Sequence, residues 1–163
     1  MNIFYLSEYA DEAAEMHCDK HVVKMILETA QLLSTAHRVL DGDEFADREG
    51  LYKVTHINHP SAVWVRQSEG NYYWTLHLFS FLCAEYTKRY KKIHKTERLL
   101  YSLAVFPDNI PDGDFTPPPQ CMPDEYKNDC AVTAYRTYYK NDKADFAVWK
   151  YTQAPTWWKG LAA

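Results

Sequence analysis

Apolar residues between Lys20 and Val39 recur at helical spacing, with Val22, Ile26 and Leu33 in one row and Val23, Leu27 and Ala30 in the next. Lys20, Lys24, Glu28, Gln31, Thr35 and Arg38 fall in register between them. The spacing predicts a helix that Asp19 caps and Asp41, Gly42 and Asp43 end, with one core face and one continuous polar stripe. Ahead of it, Met1 to Leu6 reads as a short extended start, and Ser7 as the cap of a helix over Glu8 to His17.

Further along, Leu51 to Ile57 is irregular and reads as loop with some extended structure. His59, Pro60 and Ser61 launch a short helix across Trp64, and Ser68 with Glu69 opens a long aromatic helix to about Lys91. From Phe106 to Pro123 the prolines and the acids Asp108, Asp112 and Asp114 exclude regular helix, which predicts a long surface loop packed by Phe115 and Met122. Asp124 to Tyr139 returns to helical composition, and Asp142 is expected to start a last helix through Trp149. The expected fold class is mainly α: a compact helical bundle with a long Pro-rich loop, spanning residues 1–163 as a single domain.

Composition narrows the function. The stretch Tyr72 to Tyr86 is the richest in apolar residues, yet His77 and Glu85 break it, so no membrane span is expected. Four dispersed cysteines without a C-x-x-C pair, in a chain with no signal-like start, imply free thiols in a reducing cytoplasm. A net charge of -4 excludes long-range attraction of a polyanion, so any nucleotide site must be a local basic patch. Lys88, Arg89, Lys91, Lys92, Lys95 and Arg98 form the only dense basic cluster, whose plain reading is a solvated helix end. Aromatic residues make up 15% of the chain and suit either base stacking or interface packing, including a homo-oligomer interface.

Candidate chemistry centres on the polar stripe, where mixed charge and an amide can bind a polar ligand through charge-assisted hydrogen bonds. The alternative reading of the same residues, of equal weight, is an exposed helix face with i,i+4 pairs such as Lys24 with Glu28. His17 and His21 are spaced to share a metal, but H-C-D-K-H lacks the base of the zincin motif, so no metal and no cofactor is expected. His59 stands just before a helix N-terminus, where free N–H groups attract phosphate or carboxylate. Trp157 and Trp158 beside Lys159 can stack on a base and touch a phosphate, or tie the chain end to the core.

Three stretches resemble, in order, the pyrimidine-dimer DNA glycosylase family of phage T4 endonuclease V type: Asp19-Lys20-His21 followed by Glu28, Asn58-His59-Pro60 opening a helix, and Pro123-Asp124-Glu125-Tyr126 leading to Pro155-Thr156-Trp157. The resemblance implies a compact helical fold that cuts an N-glycosyl bond in damaged DNA, with Glu28 handling protons and an amino-terminal amine, of Met1 or Asn2, attacking the sugar. Lys20, His21, Lys24, Gln31, Arg38, His59, Trp157, Trp158 and Lys159 would then hold a nucleotide or DNA ligand. Where that family carries arginines near the glutamate, this chain has Leu27 and Gln31. That difference favours the alternative of a non-catalytic nucleotide-binding protein that sequesters a host anti-phage signal. The segment from His17 to Gln31 also resembles small proteins of tailed phages, including cyanophages, which implies the cytoplasm of an infected host cell.

Overall fold

The computed structural model describes residues 1–158. Its elements are α1 (Ala10–Met16), α2 (Asp19–Asp41), α3 (Glu44–Arg48), α4 (Pro60–Val65), α5 (Glu69–Tyr90), α6 (Leu100–Leu103) and α7 (Ala131–Asp142), with 3₁₀ turns at Lys95–Leu99 and Asp124–Tyr126. No strand occurs among the described residues, as the expected mainly α fold class requires.

α5 is the centre of the molecule. Its side chains are buried on most sides, from Asn71 and Tyr72 through Phe79 and Leu82 to Arg89, and it packs against both α2 and α1. Ser68 caps it as expected, its Oγ accepting from the Asn71 amide at 3.1 Å. Two more of its first amides find loop carbonyls, Glu69 donating to Pro111 at 2.9 Å and Gly70 to Gly113 at 3.0 Å. The Pro-rich loop therefore completes the helix start, and a methyl group on Gly70 would collide with the backbone of Asp114 and Phe115. At the far end Lys91 closes the helix in the left-handed conformation, φ 60°.

Arg89 locks three helices together. Its guanidinium, with no exposed side-chain surface, donates to Glu85 at 2.9 Å, to Asp19 at 3.2 Å, and to the carbonyls of His17 and Glu15 at 2.8 and 2.9 Å. The two carbonyls belong to the C-terminal end of α1, where acceptors lack intrahelical partners.

Several boundaries differ from the sequence expectation, each for a tertiary reason. α1 starts at Ala10 because Ser7 Oγ accepts from the Tyr9 amide and donates to Glu12, which turns the chain once more before the helix. Asp19 is the first helical residue and not the cap, since its carboxylate is committed to Arg89 and to the Lys150 amide at 2.7 Å. Val23 and Leu27, expected in the core, are 39% and 38% exposed. Residues 51–57 lie along α2 without strand pairing, the amides of Tyr52 and Thr55 donating to the hydroxyls of Ser34 and Thr35. The last expected helix does not form: α7 itself runs to Asp142, and the chain beyond is held open where the Asp19 amide donates to Val148 at 2.9 Å.

Candidate functional site

The amino-terminal segment is built to hold its own end in place. Ile3, Phe4, Tyr5 and Leu6 are buried, although they form no helix or strand, and the Arg136 guanidinium donates to the Leu6 carbonyl at 2.8 Å. This threading brings the Met1 amino group to 3.3 Å from Glu28 Oε1 on α2. Lys24, one turn earlier, lies 3.6 Å from Glu28 Oε2, beyond hydrogen-bond reach, with its own side chain 61% exposed. Glu28 Oε2 is thus a buried acceptor without a hydrogen-bond partner, and so is Asn2 Oδ1. Asn2 is fixed by its other end, where Nδ2 donates to the Cys121 carbonyl at 3.0 Å.

Two further elements close around this pair. His59 caps α4 with its ring: Nδ1 accepts from the Ser61 amide at 3.1 Å, so in the neutral ring the proton sits on Nε2. Burial pushes the His59 pKa down, the Met1 ammonium and His56 push it further down, and Glu28 opposes them, which sets His59 within electrostatic reach of the amine and carboxylate. Ser61 Oγ meets Cys121 Sγ at 3.8 Å, linking the start of α4 to the strap that holds Asn2. An amine, a carboxylate with a spare oxygen, a neutral imidazole donor and an exposed lysine are the parts needed to bind a sugar or phosphate and to move a proton.

This chain matches no known family, curated protein or solved structure.

The other expected site residues distribute differently. Gln31 is half-buried on the turn of α2 after Glu28. Arg38 does not belong to an open stripe: it is 7% exposed, bonded to Asp43 at 2.9 Å, to Asp47 at 2.8 Å and to the carbonyls of Leu51 and Tyr52. Thr35 is likewise buried against Thr55. The polar stripe is therefore interrupted past Gln31, where residues 43–55 cover α2. Lys20 stays exposed, its ammonium 4.7 Å above the Phe146 ring.

His21 is buried at the other end of α2, with Nδ1 2.6 Å from the Tyr139 hydroxyl and its ring stacked on Phe4 at 4.5 Å. Trp157 and Trp158 pack in the same aromatic cluster around Tyr139, and Trp157 also meets Met16. Among the described residues neither indole hydrogen-bonds to the Met1 and Glu28 pair, and Lys159 lies outside the described residues. Among the described residues no three His, Cys, Asp or Glu side chains converge as metal ligands, and no helix is long and apolar enough to cross a membrane. Sequence reasoning missed Cys121, whose contribution is a backbone carbonyl with no signature in residue type.

The buried histidines carry a pH prediction. Desolvation is the leading cause that lowers His17 to about 4 and His21 to about 2, from an ordinary 6.5. Each is neutral when folded and takes up a proton on unfolding once the pH drops below about 6.5. Stability is thus full above that pH and falls from there down to about 4 for His17 and about 2 for His21, by about 1.4 kcal/mol per pH unit for each histidine. Urea unfolding at pH 7.5, 6.0 and 5.0 checks it, and a midpoint that stays level from 7.5 to 5.0 contradicts it.

Proposed function

We propose that the protein acts on the N-glycosyl bond of a nucleotide unit, in damaged DNA or a free nucleotide, with the Met1 amine as nucleophile and Glu28 as the proton carrier. The observation that carries this reading is the 3.3 Å approach of the amine to a carboxylate whose second oxygen is buried and without a hydrogen-bond partner. In the first step Glu28 takes a proton from the ammonium, leaving a free amine able to attack C1′ of the sugar. The base departs with the electron pair of the broken C–N bond and takes up one of the two protons on the attacking nitrogen. The carboxylic acid returns its proton to the ring oxygen as the sugar opens to an imine, which water then hydrolyses. His59, as an Nε2–H donor, and Lys24 hold the adjoining phosphate. The sequence resemblance to the endonuclease V type glycosylases supports this chemistry and, with it, a role in DNA repair.

Borohydride trapping tests the reading. The chain incubated with ultraviolet-irradiated DNA, single-stranded or duplex, and borohydride is expected to form a covalent adduct, and chemical acetylation of the α-amine is expected to abolish it. A second reading, a nucleotide-binding protein without turnover that sequesters a host anti-phage signal, is favoured by the net charge of -4 and by Leu27 and Gln31 beside Glu28. Absence of any adduct, with a small nucleotide retained by native mass spectrometry, decides for that second reading.

A further inference from the structure

The turn that follows α5 carries a run of positive charge without acidic partners among the described residues. Lys88, Lys91, Lys92, Lys95 and Arg98 are all exposed within eleven residues of a chain that is acidic overall. Among the described residues none of the five forms an ion pair, whereas Arg89 in their midst is buried and fully engaged. Arg98 only touches the Gly50 carbonyl at 3.4 Å and the Tyr52 ring at 5.9 Å. Glu97 is the single acid in the stretch.

Two large apolar side chains stand out of the same surface, Tyr101 at 89% exposure and Ile93 at 71%. With His94, Lys95, Glu97, Arg98 and Leu100 they line an open cleft of about 610 Å³, a size that admits a nucleobase and its sugar. Cations that track a phosphate backbone beside an aromatic ring free to stack are the two components of single-strand recognition. A duplex would bury its bases away from Tyr101 and would require a broader basic face.

The ridge also has a direction. His94 Nδ1 accepts from the Thr96 amide at 3.1 Å, and the ring lies close to the backbone of Val23 on α2. Thr96 meets Tyr52 at 2.8 Å, and the Tyr52 amide donates to Ser34 on the same helix. The turn therefore lies against α2 over the length that contains Glu28. At about 100° per residue, Leu27, Lys20, Gln31 and Lys24 follow Val23 around the helix, and Glu28 comes about 140° round. The exposed Leu27 and Lys24 thus form the ground between the ridge and the carboxylate.

We propose that the basic turn 88–98 with Tyr101 docks a single-stranded nucleic acid and leads it across α2 towards Glu28. The docking stands on charge and exposure alone; its direction towards Glu28 rests on the glycosyl-bond reading above.

Fluorescence anisotropy of the full chain with a labelled 20-nucleotide oligothymidylate tests it, since this readout needs no turnover. Binding is expected to weaken with salt at a log–log slope of about 3.5, for five phosphate contacts at about 0.7 each. Tyr101→Ala is expected to weaken binding by roughly tenfold. A triple change of Lys91→Glu, Lys92→Glu and Lys95→Glu is expected to remove most binding and flatten the slope while leaving the thermal midpoint near the parent's. The Glu28→Gln chain, in contrast, should bind like the parent, so loss of trapping and loss of docking are read separately. A triple variant that binds like the parent overturns the proposal. So does tighter binding to a 20-base-pair duplex, or binding to phosphatidylserine vesicles but not to the oligonucleotide.

Discussion

Replacing Arg89 with methionine is expected to lower the free energy of unfolding by about 3–5 kcal/mol, the cost of removing one partner from a buried charged network. Methionine keeps most of the aliphatic stem but supplies no donors. Glu85 Oε1, Asp19 Oδ1 and the carbonyls of His17 and Glu15 would each lose a hydrogen bond in a place where water has little access. The loss falls on the junction of α1, α2 and α5, so unfolding should remain a single cooperative transition at a lower urea midpoint. A decrease below 1 kcal/mol would mean that water or a neighbouring side chain takes over the donors.

Glu28→Gln is the second large expected effect. The amide has nearly the shape of the carboxylate and can still accept from the Met1 amino group, but it can no longer carry the proton away. Trapping with irradiated DNA is expected to slow by about 10²–10⁴-fold, the usual range for loss of a general acid or base. Ligand affinity is expected to stay within a few fold, because Lys24 and His59 remain. Trapping at the parental rate would sink the assignment of Glu28.

The parts of the fold that sequence pattern exposes are those decided locally. His59 and Ser68 cap their helices through bonds that span two and three residues, and the prolines between Phe106 and Pro123 remove donors wherever they stand. Ser7, Asp19 and Asp142 look like caps on the same grounds, yet Ser7 is turned to Glu12, Asp19 serves Arg89, and Asp142 sits inside α7. Val23 and Leu27 carry helical periodicity without lying in the core, since spacing reports that residues share a face and not what covers it. Arg38 is the converse: a charged residue in perfect register that residues 43–55 bury. In the candidate site, no periodicity brings residue 1 against residue 28. That approach depends on how Ile3 to Leu6 thread the core and on a backbone carbonyl at Cys121, neither of which residue type announces.

The bond from Asn2 to the Cys121 carbonyl spans 119 positions, and this sets an order of events during synthesis. At about 5–20 residues per second, roughly ten seconds pass between translation of Asn2 and of its partner. Throughout that interval the first residue is free, and the enzymes that trim or acetylate nascent chains meet an amine with no pocket around it. On the glycosyl-bond reading, the chemical identity of the group facing Glu28 is therefore decided on the ribosome, before the fold encloses it.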